Sequence, residues 1–449
     1  MAQADVQPAA EPPTGTAHGE RTSAPEAAAT LVPPEIIAQT LSEYVRGLWV
    51  RLKSGESGML PVILALVLIV IVFSSLNSVF LTAGNIINLF QQSAVFMVLA
   101  MAEVFALLLG EIDLSIGFVG PVGGAIAVQL VQPVTTNWPW WAAVVVALFG
   151  CALVGAAQGS LVTRLRLPSF IVTLAGLLIF NGVLLIVLGY GPFSGYPSLS
   201  GRGTNLRALY DLMWGHVTPL EGWIAMIVIV GLLGLSLFMR DSRRRSSGLV
   251  APPLSLTLIK IAFMAAVGVA LVVICNLNRA RFGKLEGVPW FVFIVLGVLG
   301  AWTFLLNRTR YGRYVYAIGG NAEAARRAGI NVSMIRTWAF VLVSFTAGIG
   351  GLLYASLLGG MSNNVNGGQL VLYAVAAAVI GGTSLFGGRG KISHGVLGGL
   401  VIGAIYNGMY LQNEKVEWQF IVTGIVLLVA VIIDAVSRRG ASSGALTRV

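Results

Sequence analysis

The sequence predicts an all-α polytopic membrane protein with about twelve transmembrane helices and both termini in the cytoplasm. Three observations carry that expectation. Mean hydropathy is +0.85, 56% of the 449 residues are hydrophobic and only 10% are charged, whereas a water-exposed surface takes roughly a quarter charged residues. The apolar residues fall into about twelve stretches, each near the ~20 residues that cross ~30 Å of hydrocarbon. In lipid every backbone N–H and C=O must be satisfied internally, so unalternating runs of that length are helices. The basic residues, finally, gather at the ends of alternate stretches, as membrane topology requires.

Taken in order, 1–34 is rich in Ala, Pro, Glu, Thr and Ser, and it reads as a disordered cytoplasmic tail. No apolar core follows Met1 closely enough for a signal peptide. The stretch 35–58 carries Arg46, Arg51 and Lys53 on an amphipathic spacing, which predicts an entry helix on the inner leaflet. Spans are expected at 59–76, 85–109, 115–131, 140–162, 168–189, 222–239, 257–275, 289–306, 336–358, 369–386, 394–411 and 417–435. They make a transmembrane domain over 59–436, followed by a cytoplasmic tail over 437–449. With the N-terminus inside, Arg164, Arg166, Arg240, Arg243 to Arg245, Arg308 to Arg336, Arg389, Lys391, Arg438 and Arg439 are cytoplasmic. Arg279, Arg281 and Lys284 fall outside and are the exception.

The net charge of +10 does not point to nucleic acid, because the basic residues sit where topology puts them. Cys151 and Cys275 lie in apolar runs and His18, His216 and His394 are scattered, so neither disulfide nor metal site is expected. The stretch 110–117 (GEIDLSIG) brings Glu111 close to Asp113 at the turn between the second and third spans. No nucleophile, histidine or ligand set accompanies them, so an enzyme is not expected. Asp113 and Ser115 are instead N-cap candidates for a helix beginning at Leu114. A second glycine-rich break, 381–391 (GGTSLFGGRGK), lacks the spacing of a phosphate loop, and the chain is expected to bind no nucleotide by that route. Two glycine-broken spans, one in each half, point to an internally repeated transporter with broken helices near its pathway.

Polar groups inside spans must face protein or a water-filled path. Asn88, Gln91, Gln92, Glu103, Asn181 and Asn407, with Glu111, Asp113 and Ser115, are therefore the candidate pathway residues. The amides at 88–92 both donate and accept, which suits a hydroxylated solute. Glycines four apart, at Gly120/Gly124, Gly155/Gly159 and Gly395/Gly399/Gly403, predict close helix crossings. The longest charged interruption runs from Arg308 to Arg336. Within it Asn321 is an N-cap, Glu323, Ala324, Ala325, Arg326 and Arg327 are helix formers, and Gly329 is a stop. A helix of about two turns is unstable alone in water, so this one is expected to dock on something.

Four stretches now justify a family: 110–117 (GEIDLSIG), 167–176 (LPSFIVTLAG), 317–331 (AIGGNAEAARRAGIN) and 380–388 (IGGTSLFGG). With their framing spans they resemble the permease subunits of bacterial sugar ABC importers, in the ribose/xylose/galactose branch. The basic insertion 240–255 and the helices around it make the chain most like the xylose-type permeases. The resemblance implies a roughly ten-helix sugar-permease core plus an extra pair, in the inner membrane. It also implies a second permease copy, a cytoplasmic ABC ATPase that holds ATP and Mg, and an extracytoplasmic sugar-binding protein. The 308–336 loop, through Asn321 and Glu323 to Gly329, is then the ATPase-coupling element of an alternating-access importer. The implied cargo is a monosaccharide, with a pentose such as xylose first and ribose, another sugar or a nucleoside as alternatives. A secondary transporter would instead need buried ionisable residues for ion coupling, and Glu103 alone is thin support.

Overall fold

The computed structural model describes residues 60–133, 136–189, 197–201, 203–249, 251–279, 285–412 and 417–426, with a few isolated positions nearer the termini. The expected tail at 1–34, nearly all of the entry helix at 35–58 and the tail at 437–449 lie outside the described residues. The helices in order are α1 (Leu60–Leu76), α2 (Ala83–Leu108), α3 (Ile116–Leu130), α4 (Trp140–Arg164), α5 (Ser169–Gly189), α6 (Thr204–Trp214) and α7 (Pro219–Ser246). They continue with α8 (Leu254–Asn276), α9 (Trp290–Arg308), α10 (Arg310–Gly320), α11 (Ala322–Arg327), α12 (Val332–Leu358), α13 (Gly367–Ile380) and α14 (Ile392–Leu411). Residues 417–426 are again helical. Eight of these helices are long and apolar enough to cross a membrane, and α1, α3 and α13 are shorter apolar helices. Large apolar side chains such as Leu68, Leu178, Leu232 and Phe263 stand exposed around the bundle, the surface that a lipid solvent accepts. The chain is a polytopic all-α membrane protein.

The bundle is built on α2 and α12. Helix α2 is buried on every side from Ser93 to Leu108. Glycines set how closely its neighbours approach. A methyl at Gly120 or Gly124 of α3 would stand 2.6 or 2.5 Å from a carbonyl oxygen of α12, and one at Gly155 of α4 would stand 2.3 Å from the Phe340 carbonyl. On the other side, a methyl at Gly395 or Gly399 of α14 would meet the α2 backbone at 2.7 or 2.6 Å. Apolar surface gains nothing by leaving lipid for protein, so this close van der Waals contact is what joins the helices. All three predicted glycine series lie at such crossings.

Two expected spans are shorter than the sequence suggested. Helix α3 has 15 residues and α13 has 14. The expected span 369–386 stops at Ile380 because Gly382, two residues on, takes a left-handed backbone angle, with φ of 107°. The first turns of these short helices touch: a methyl at Gly117 would stand 2.1 Å from the Gly367 carbonyl oxygen. Helix α6 was not expected at all. It buries Leu206, Leu209 and Met213 and joins α12 through Ser356, whose hydroxyl donates to the Tyr210 carbonyl at 2.8 Å.

Helices α7 and α8 form an antiparallel hairpin outside this core. At its basic end the buried Asp241 accepts from Arg240 at 2.9 Å and Thr257 at 3.0 Å, and Arg245 reaches Thr257 at 3.1 Å. At the opposite end Arg279 donates to the carbonyls of Cys275 and Gly287. That gives Arg279 a structural reason, since it closes the C-terminus of α8, while Arg281 and Lys284 lie outside the described residues.

Candidate functional site

The site has an exposed part and a buried part at the same end of the bundle. Helix α10 begins at the Thr309 cap, whose hydroxyl accepts from Gly312 N at 3.4 Å, and buries Val315 and Ile318. A methyl at Gly319 would stand only 1.9 Å from the Leu108 carbonyl oxygen, so glycine lets α10 lie across the end of α2. Gly388 N donates to that same carbonyl at 2.9 Å. The 381–391 loop, the end of α2 and α10 are thus one backbone-to-backbone junction.

Helix α11 projects from this junction. Asn321 is extended, with φ −159° and ψ 101°, and its side chain accepts from Ala324 N at 2.9 Å. Ala325 is buried, while Glu323 lies 2.8 Å from Arg326 and 3.3 Å from Arg327 on the exposed face. Pairs at such spacing and exposure are worth only a few tenths of a kcal/mol each. Gly329 closes the helix at φ +83°, with nothing within 4 Å of an added methyl. The cap, the formers and the stop stand where the sequence placed them. Asn331 then caps α12, accepting from Met334 N at 3.0 Å.

One turn into α12, Arg336 lies 3.3 Å from Glu111, which also accepts from the Ser169 hydroxyl at the start of α5. Glu111 therefore ties the loop before α3 to the segment that carries α11. Behind it Asp113, Ser115 and Glu103 are fully buried. Glu103 accepts from Asp113 N at 3.2 Å, and Asp113 accepts from Ser115 N at 2.9 Å and from its hydroxyl at 2.6 Å. The helix begins at Ile116, not Leu114, and the Ser115 side chain makes no cap bond, because Asp113 holds it. Ser115 Oγ also lies 2.9 Å from the side-chain oxygen of Gln158 of α4, a second acceptor that competes with Asp113 for its one hydroxyl proton. One oxygen of Glu103 and one of Asp113 remain buried without a partner. Among the described residues no group of three or more His, Cys, Asp and Glu side chains is placed to hold a metal.

The remaining candidate residues separate. Asn407 of α14 exchanges two amide bonds with Asn85, at 2.9 and 3.1 Å, and donates to Gln92 at 3.3 Å. Gln92 donates to Asn88 at 3.4 Å, so these amides form one chain between α2 and α14. Gln91 points elsewhere and donates to the Met213 carbonyl of α6 at 2.8 Å. Asn181 is half-buried on α5, apart from both groups. Sequence reasoning missed Asn85, Gln158, Ser169 and Arg336. Gln158 carried a usable signal, a lone amide in an apolar run; the other three sit at helix starts, where polar residues are ordinary.

Residues 85–431 match the family model described as branched-chain amino acid transport system / permease component. The chain is 33% identical over 395 residues to the xylose transport system permease protein XylH of Escherichia coli (strain K12), covering 86% of this chain and 94% of that one. It is also 33% identical over 402 residues to the XylH protein of Haemophilus influenzae, covering 87% and 99%. Identity to the ribose import permease protein RbsC of E. coli (strain K12) is 29% over 375 residues, covering 83% and 92%. No solved structure matches the chain.

Proposed function

The chain belongs to the branched-chain amino acid transport system permease component family, and from that premise we propose that it is the membrane subunit of an ABC importer for a monosaccharide. The observation that carries the reading is α11: a capped helix too short to stand alone, exposed on its charged face and fixed at its base to the ends of α2 and α12. That is a part built to be pushed. A cytoplasmic ATPase that closes on ATP would move α11. The motion reaches the interior through α10, which touches the end of α2, and through Arg336, which holds Glu111 and hence the loop before α3. ATP and Mg belong to that ATPase, and an extracytoplasmic sugar-binding protein supplies the affinity. A second copy of the chain completes the pathway. The bacterial inner membrane is the location, with the α10–α11 end in the cytoplasm, where the Arg and Lys clusters place it.

Xylose is the favoured cargo, because XylH carries the higher identity over the greater share of the chain. Ribose is the second reading, on the similarity to RbsC. Asn88, Gln92 and Asn407 are proposed to meet the sugar by exchanging amide partners for hydroxyls as the helices move, and Glu103, Asp113 and Ser115 to hold the start of α3. The test is uptake of labelled xylose in cells with and without the chain, competed by unlabelled ribose, galactose and arabinose. Loss of uptake on deletion, with competition by xylose alone, is the expected result. Competition by ribose instead moves the cargo to the second reading. Uptake that survives depletion of ATP while an ion gradient persists would overturn the importer.

A further inference from the structure

An apolar groove of about 850 Å³ separates the outer hairpin from the core. One wall is α7, through Leu232 and Leu233; the other is the face of α9 on which Leu296, Gly300, Phe304 and Arg308 succeed one another at helical spacing. The groove changes character along its length. At its far end Arg308 and Lys391, both exposed, line it together with Tyr316, whose hydroxyl is already donated to the Gly390 carbonyl at 2.8 Å. Neither cation has an ion-pair or hydrogen-bonding partner among the described residues. An apolar trough that opens at one interface on two unpartnered cations matches one kind of molecule in a bilayer. Its tails take the trough and its anionic head takes the cations.

We propose that this groove is a binding site for an anionic phospholipid, with its headgroup phosphate on Arg308 and Lys391 and an acyl chain along Gly300. Gly300 supports the assignment. A methyl there would meet nothing within 4 Å, so this glycine serves no crossing inside the chain and leaves a smooth strip open to an acyl chain. A second copy of the chain is the other candidate occupant. The charge opposes it, since two such faces would bring Arg308 and Lys391 against their like. The site asks nothing of the cargo and stands whether or not the transport reading does.

The test uses the full-length chain in mixed micelles with phosphatidylglycerol or phosphatidylethanolamine, and reads retained lipid by native mass spectrometry. Phosphatidylglycerol is expected to be retained over phosphatidylethanolamine. The double variant Arg308→Gln/Lys391→Gln is expected to lower that retention about thirtyfold, from two surface cations each favouring an anionic headgroup. Arg308→Lys and Lys391→Arg should keep it. Gly300→Leu fills the trough and should also displace the lipid, with an unchanged thermal midpoint showing that the fold is intact. Equal retention by the wild type and the double variant overturns the proposal. So does a dimer that dissociates in Gly300→Leu while lipid retention is unchanged, which would give the groove to a second copy.

Discussion

Gly329 stands at φ +83° with open space around it, so a side chain there costs only the left-handed strain of about 1 kcal/mol, and less for Asp. A loss of transport larger than that strain explains must come from the surface the residue presents. Gly329→Asp and Glu323→Lys are therefore expected to abolish sugar uptake while the protein remains in the membrane at normal abundance. Quantitative blots of membrane fractions beside the uptake assay check this, and normal uptake in both variants would remove α11 from the coupling role. These residues were legible because capping is local: Asn321 and Gly329 act within four residues of themselves. Asp113 was legible only in part. Its carboxylate has a local partner in Ser115, while its backbone N–H donates to Glu103, ten residues back on α2, and no short-range pattern says which engagement shapes the turn.

At the scale of helices, glycine spacing announced that close crossings existed but not which helices met. Gly351 of α12 shows why. Its own spacing is unremarked, yet a methyl there would stand 1.8 Å from the Gly120 carbonyl oxygen, closer than any real contact. Gly351→Ala is therefore expected to force α3 off α12 and destabilise the bundle by about 1–3 kcal/mol, the usual cost of overpacking. Gly182→Ala on α5, where nothing lies within 4 Å, should change stability by no more than about 0.5 kcal/mol. Thermal unfolding in detergent separates the two, and equal midpoints would show that the α3–α12 contact yields without cost. Helix α6 has 11 residues and one apolar face, too short for a span and too ordinary for a motif. Helix α13 ends at Ile380, just before Gly382 turns left-handed, a property of the backbone that the apolar run 369–386 masks.

The molecule as a whole is a core with a hairpin set into it, and the join shows how separable the two are. Helices α7 and α8 leave and re-enter the core at one point: His216 and Pro289 form an isolated antiparallel bridge, and Val217 N donates to the Val288 carbonyl at 3.0 Å. Between those pinned ends the hairpin packs chiefly on itself, and its basic tip is closed by its own Asp241, Arg240, Arg245 and Thr257. It crosses the membrane an even number of times, so its removal leaves every later span in its present orientation. Replacing 218–287 by a short glycine-containing turn between Val217 and Val288 should thus give a protein that inserts, resists alkaline carbonate extraction as the parent does, and still supports uptake. It should lose retained phosphatidylglycerol, because the groove on α9 then has one wall. Failure to insert would make the hairpin part of the folding core. Retention of the lipid at the parent level would place the binding site elsewhere and leave the separability of the hairpin standing.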